Sequence, residues 1–238
     1  MPATVVLLHG FAGTGRAWDP VVERLDPERY TALAPDLRGH GSARDARPIT
    51  FGAVADDILA AAPPRFTLCG YSMGGRVALH VALAAPERVE RLVLVSTTAG
   101  IADDDERAAR READARLATF AEAATIEQFA DRWAAQPLFT ATPPEAERIW
   151  RQDLLRNDPG ALAAVLRGLG AGAMAPLWDR LPELTMPAAV LAGERDGKYV
   201  AVAAQHLVTR LPNAELSVVP DAGHGLPREA PEAIAAVL

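Results

Sequence analysis

Phe66-Thr67-Leu68-Cys69-Gly70-Tyr71-Ser72-Met73-Gly74-Gly75-Arg76-Val77-Ala78-Leu79 is the stretch on which the reading of this chain turns. Residues 66–69 form a short apolar run, as a strand buried on both faces does. From Arg76 onward, small and apolar residues fit a helix. Between the two, Gly70-Tyr71-Ser72-Met73-Gly74 matches G-x-S-x-G. A serine on so sharp a strand-to-helix turn sits in strained backbone, and small residues two before and two after it let strand and helix approach each other. Five residues match by chance often enough that the alternative, a glycine-rich turn with an inert serine, must be weighed against the rest of the chain.

Outward from this turn, residues 4–8, 30–34 and 91–95 read as further buried strands, and 19–25, 51–61 and 74–85 as helices. From residue 100 to about 181 the strand signal stops. Asp103, Asp104, Asp105 and Glu106 open a helix running through Ala118, with acids in its first turn where the helix dipole favours them. Thr125-Ile126-Glu127-Gln128 and Thr142-Pro143-Pro144-Glu145 both fit capping boxes. Asp158-Pro159 starts another helix, which ends near Gly168 and Gly170. Strands resume at 188–191 and 215–219, with helices at 200–211 and 230–238. The pattern predicts an α/β fold, a mostly parallel sheet flanked by helices, with its core in 1–99 and 182–238 and a helical cap inserted at 100–181.

Composition narrows the function classes. The 238 residues suit one domain with an insertion and carry a net charge of −7, which argues against a nucleic-acid-coating surface. The single cysteine, Cys69, excludes an intrachain disulfide and a Cys-based zinc site. No run of 18 or more apolar residues points to a membrane, and residues 1–8 are too short and uncharged for a signal peptide, which leaves the cytoplasm as the expected location. Of the 24 basic residues, 23 are arginine and one is Lys198, a bias that GC-rich coding explains in part. Arginine clusters therefore count for less here than elsewhere.

The partners that Ser72 needs are present. His9-Gly10-Phe11 follows the first strand; the Phe11 and Met73 backbone N–H groups are the expected oxyanion donors, with His9 bracing the loop. A general base should come last in the chain, after the acid. Asp221-Ala222-Gly223-His224-Gly225 follows the last strand and supplies His224, whereas His40 lies in a turn and His80 and His206 lie in helical stretches. The acid is expected after the strand at 188–191, where Gly193-Glu194-Arg195-Asp196 offers Asp196. Ser, Asp, His is the α/β-hydrolase order. There is no Walker A lysine, no G-x-G-x-x-G after the first strand and no H-E-x-x-H, and a haloalkane-cleaving member of the fold would carry Asp at position 72.

Beyond the elbow and Leu8-His9-Gly10-Phe11 with Gly13 and Trp18, the chain carries Ala192-Gly193-Glu194-Arg195-Asp196-Gly197-Lys198-Tyr199. Its insertion carries Glu106-Arg107-Ala108-Ala109-Arg110-Arg111, Trp133 before Gln136-Pro137-Leu138-Phe139, and Leu154-Leu155-Arg156-Asn157-Asp158-Pro159. In these motifs it resembles the 2-succinyl-6-hydroxy-2,4-cyclohexadiene-1-carboxylate synthases of menaquinone biosynthesis, over nearly its whole length. It departs from many relatives in reading Gly225-Leu226-Pro227-Arg228 where they carry a second histidine, and its sheet begins at the third strand of the full fold.

The resemblance implies a cofactor-free, metal-free lyase that eliminates pyruvate from a small polycarboxylate, with a triad that abstracts a proton alpha to a carbonyl. It maps the triad to Ser72, Asp196 and His224, and carboxylate-binding arginines to Arg76, Arg156 and one of Arg110 or Arg111. Trp133 is implied as a cap aromatic and Tyr71 as a further substrate contact. Against these stand a solvated helix face for Arg110 and Arg111 and a cap-core role for Trp133. Two other functions stay open: a serine hydrolase working through an acyl-enzyme, and a non-catalytic binding protein of the same fold.

Overall fold

The structure, a computed structural model, describes residues 2–139 and 142–238, with residues 203 and 204 described by backbone alone. In chain order it runs β1 (Ala3–Leu8), α1 (Asp19–Val22), β2 (Tyr30–Leu33), α2 (Phe51–Ala61), β3 (Phe66–Tyr71), α3 (Met73–Ala84) and β4 (Val89–Val95). Four helices follow: α4 (Asp104–Ala123), α5 (Ile126–Ala134), α6 (Pro144–Leu154) and α7 (Pro159–Leu169). The chain then returns to the sheet with β5 (Ala188–Gly193), α8 (Gly197–Val202), β6 (Ala214–Val219), α9 (Leu226–Glu229) and α10 (Pro231–Ala235).

All neighbouring strands pair in parallel, in the order β2-β1-β3-β4-β5-β6. Because side chains alternate along a strand, each apolar run feeds two cores. Leu7, Cys69, Val93 and Ala189 lie in register and pack with Trp18, Leu226 and Ile234 on one face. Leu8, Leu68, Leu92 and Val190 point the other way, against Val54 of α2 and Val77 and Val81 of α3. Strand order reverses between β1 and β3, and a crevice at the carboxyl ends of strands forms at such a switch point. Helices α4–α7, hereafter the cap, carry a third cluster that includes Phe129, Leu154, Leu162 and, from the loop after β1, Ala12. No described helix is long and apolar enough to cross a membrane.

The expected strands all form. Several helix bounds change for identifiable reasons. α1 stops at Val22 because the next amides tighten to i→i−3 bonds, Arg24 N–H to Val21 and Leu25 N–H to Val22. The cap helix expected to end at Ala118 continues to Ala123. Thr125 does form a reciprocal capping box with Gln128. Thr142 does not: Pro144 occupies the first helical position, so Pro143 is the N-cap and Thr142 lies one residue too early. The helix expected over 200–211 is α8, starting at Gly197, followed by one wide turn over Ala203–Leu207. The helix expected at 230–238 is the shorter α10, which starts at Pro231 because Ala230 precedes a proline and adopts a non-helical φ of −147°, separating it from α9.

Candidate active site

Ser72 sits between β3 and α3 with φ 52° and ψ −111°, a conformation that costs a non-glycine residue of order 1–3 kcal/mol. Its surroundings fix it there. Ser72 N–H donates to Val95 C=O at 2.9 Å, and Thr97 Oγ1 donates to Ser72 C=O at 2.7 Å. The flanking glycines are required by contact: a Cβ on Gly70 would lie 2.3 Å from Gly74 O, and one on Gly74 would lie 2.1 Å from Leu8 O.

The expected triad comes together. His224 Nδ1 meets Asp196 Oδ2 at 2.6 Å and His224 Nε2 meets Ser72 Oγ at 3.1 Å. With Nδ1–H donating to the carboxylate, Nε2 is left to accept the serine proton. Asp196 and His224 are both buried, as a directional relay requires. The Tyr71 and Tyr199 rings flank His224 at centroid distances of 5.4 and 4.7 Å, and burial raises both phenols, keeping them neutral. Glu229 holds the histidine loop from behind: its carboxylate accepts from Gly223 N–H at 2.6 Å and from Gly225 N–H at 2.9 Å.

The other histidines do structural work. His9 Nε2 accepts from Leu37 N–H at 3.0 Å, so Nδ1 donates to Gly10 C=O at 2.8 Å and braces the turn. His40 Nε2 accepts from Ala12 N–H at 3.2 Å, and burial together with the nearby His9 pushes its pKa down to about 3, keeping it an acceptor. His80 stacks on Phe51.

Above Ser72 opens a cavity of about 600 Å³ between sheet and cap. Phe11, Tyr71, Met73, Arg76, Arg110 and Trp133 all line it, as the sequence led one to expect. Its charge is lopsided: Arg76, Arg110, Arg116, Arg132, Lys198 and Arg228 face one lining carboxylate, Asp114. Arg76 is 6% exposed, donates to Leu169 C=O at 2.9 Å, and has an Nε with no partner among the described residues. Burial pushes its pKa down to about 10, so it remains a cation at neutral pH. Trp133 leans on Phe11 with ring centroids 4.8 Å apart, and its Nε1–H is likewise buried without a partner among the described residues.

Two expected residues lie elsewhere. Arg110 lines the cavity, tied to Asp114 at 2.8 Å, whereas Arg111 one position on turns outward to Gly172 C=O at 3.1 Å. Arg156 is exposed and absent from the lining, because its turn after α6 points its neighbour Asn157 inward instead. The motif that suggested Arg156 is a structural one. Leu154 is core, the buried Asn157 makes three hydrogen bonds, and Asp158 caps α7 by accepting from Ala161 N–H at 2.8 Å.

Sequence reasoning also missed the buried pair of Arg228 with Asp153, at 3.0 Å. Asp153 in turn accepts from Thr14 N–H at 3.0 Å and from Thr14 Oγ1 at 2.5 Å, joining α6, the loop after β1 and the helix after His224. The carboxylate partner of Arg228 is 75 residues away, beyond any local pattern.

Comparison with known proteins agrees with this fold. A profile described as the alpha/beta hydrolase family matches residues 5–237. The 2-succinyl-6-hydroxy-2,4-cyclohexadiene-1-carboxylate synthase of Enterobacter sp. (strain 638) is 34% identical over 98% of this chain and 89% of its own. The pimeloyl-[acyl-carrier protein] methyl ester esterase of Nitrosomonas europaea is 32% identical over 92% of this chain and 88% of its own. Among solved structures, MenH from S. aureus superposes with a TM-score of 0.90 at 31% identity, over 98% of this chain and 91% of that one. With a profile spanning nearly every residue and synthases matched almost end to end, the chain belongs to the alpha/beta hydrolase family and, within it, to the 2-succinyl-6-hydroxy-2,4-cyclohexadiene-1-carboxylate synthases.

Proposed function

We propose that this chain is a carbon–oxygen lyase of menaquinone biosynthesis that releases pyruvate from 2-succinyl-5-enolpyruvyl-6-hydroxy-3-cyclohexene-1-carboxylate. The observation that carries this reading is the charge of the cavity over Ser72. Six cations line it beside one carboxylate. Arg110, Arg116 and Arg228 are paired with Asp114, Glu112 and Asp153, but Arg76, Arg132 and Lys198 have no carboxylate partner among the described residues, in a chain of net charge −7 whose overall field repels an anion. A substrate with several carboxylates is the ligand that such a local reversal selects. Arginine binds carboxylates by a planar fork, and Arg76 is held ready with unused donor capacity.

The reaction follows from the triad. His224 Nε2 takes the Ser72 proton, and Ser72 Oγ takes the ring proton alpha to the succinyl ketone. The C–H electron pair forms the C2–C3 double bond, the C3–C4 pair shifts to C4–C5, and the C5–O bond to enolpyruvate breaks. The leaving enolate takes the proton held on His224 and becomes pyruvate, which returns the triad to its starting state. The backbone N–H groups of Phe11 and Met73 stabilise the negative charge that gathers on the ketone oxygen in between. Asp196 holds His224 in the tautomer this requires. No carbonyl is attacked, so no acyl-enzyme forms. Arg76 and Arg110 bind substrate carboxylates, and Tyr71 and Trp133 pack against the ring and its arm.

Similarity to a methyl ester esterase favours one rival reading, in which the same triad acylates Ser72. The test is to supply the enolpyruvyl substrate to the purified protein and follow pyruvate, with a panel of simple esters in parallel. Stoichiometric pyruvate and poor ester turnover are expected. Fast ester turnover without pyruvate would replace the lyase with a hydrolase.

A further inference from the structure

The segment around Asn157 holds the catalytic loop in place, a role distinct from the substrate contact that its arginine suggested. After β1 the backbone turns sharply: Gly13 N–H donates to Gly10 C=O at 3.2 Å, with Phe11 and Ala12 in the middle of the turn. Ala12 has φ 60°, the left-handed region a type II turn requires of its third residue and one that favours glycine. An alanine stays there only where its surroundings over-determine it. They do so on every side. His40 Nε2 receives Ala12 N–H, and Asn157 Nδ2 donates to Ala12 C=O at 3.1 Å. The Ala12 methyl is fully buried in the cap's own apolar cluster. Asn157 Oδ1 also accepts Gly41 N–H at 3.0 Å, so the amide that grips Ala12 directly also fixes the segment bearing His40.

We propose that Asn157 is a positioning residue for the reaction: by fixing Ala12 it sets the direction of the adjacent Phe11 N–H. The corner between α6 and α7 thereby shapes the oxyanion hole without itself lining the cavity. The inference rests on the reading of Phe11 and Met73 as donors to an oxyanion formed at Ser72. It matters because such donors act only when aimed at the developing charge, and a displacement of about 1 Å costs roughly 100-fold in rate.

The test compares Asn157→Ala and Asn157→Asp with Asp158→Ala, which removes the α7 cap at the same corner without touching the loop. In the Asn157 variants kcat for pyruvate release is expected to fall about 10- to 100-fold, with KM within about 3-fold, since the donor is misdirected rather than removed. Asn157→Asp keeps an acceptor for Gly41 N–H but sets an oxygen against Ala12 C=O, so it should fall at least as far. It is nearly isosteric and carries the test if Asn157→Ala does not fold. Asp158→Ala should lower Tm and keep kcat. The proposal is overturned if the Asn157 variants keep wild-type kcat, if their loss falls on KM, or if Asp158→Ala loses as much kcat. Ser72→Ala in the same assay separates the two levels: activity surviving there overturns the site itself, whereas a dead Ser72→Ala beside an active Asn157→Ala overturns only this inference.

Discussion

Sheet and cap solve different problems. All six residues of β3 and all six of β5 are buried; Ser72 is the first residue after β3 and Asp196 the third after β5. In α4, by contrast, twenty residues bury only Asp114, Ala118 and Ala121. The sheet places reacting groups by backbone registry, which tolerates no drift. The cap supplies charge from long side chains on a mostly polar helix. The triad is thus set by the sheet, whereas the cations above it come from α3, the cap and the loops around them. The exception is the corner around Asp153 and Asn157, where the cap reaches into the sheet's catalytic loop.

The comparison can be broken most sharply at the triad. Ser72→Ala and His224→Ala should each lower kcat by roughly 10⁴-fold or more and leave the fold intact, and the double variant should lose little more, because the members act as a unit. Asp196→Asn should cost as much or somewhat less. A near-wild-type Asp196→Asn in steady-state pyruvate assays would mean that another carboxylate orients His224.

The next largest effect belongs to the joint between regions. Asp153→Ala leaves Arg228 as a buried, unpaired cation and Thr14 without its acceptor. Denaturant unfolding should record a loss of about 3–5 kcal/mol. A loss below about 1 kcal/mol, the size for an exposed pair such as Arg148 with Glu145, would mean that cap and sheet are not coupled through this pair.

Smaller again is the contribution of single cavity cations. Arg76→Ala should lower kcat/KM about 10- to 150-fold, the equivalent of one charge-assisted contact, with partial recovery in Arg76→Lys. Arg111→Ala and Arg156→Ala, whose side chains lie outside the cavity, should match wild type. Equal losses at all three positions would mean that the cap's charge acts as a diffuse field rather than through placed contacts.

How much of this was legible follows the same division. The elbow, Asp196 and His224 could be read because each is a local strand–turn pattern whose chemistry is fixed by chain order. Arg76 could be read because it lies one helical turn beyond Ser72. Cap residues could not be resolved, since Arg110 and Arg111 differ only in which side of α4 they occupy. At Leu154–Pro159 the conspicuous arginine drew attention from the asparagine that the fold uses. Asp153 with Arg228, and Glu229 with the amides around His224, needed the tertiary structure. Abundant arginine blurred the signal further, because codon usage and anion binding leave the same mark.

A further expected effect, on stability rather than on activity, concerns acid. Burial holds His40 at about 3 and His80 at about 4, below the unfolded value of about 6.5. The unfolded chain therefore takes up these protons first, and their contribution to stability is full above pH 6.5 and lost as pH falls toward 4 and below. Urea midpoints between pH 7 and 4 should decline, and His80→Leu should flatten part of that slope. An unchanged slope would mean that other groups govern the acid limb.

The central claim is that Ser72 moves a proton and never becomes acylated. Mass spectrometry of the intact protein, quenched while it turns over the enolpyruvyl substrate, tests this most directly. The account predicts an unmodified mass for the enzyme while pyruvate accumulates in step with substrate loss. A covalent adduct on Ser72 during turnover would contradict it.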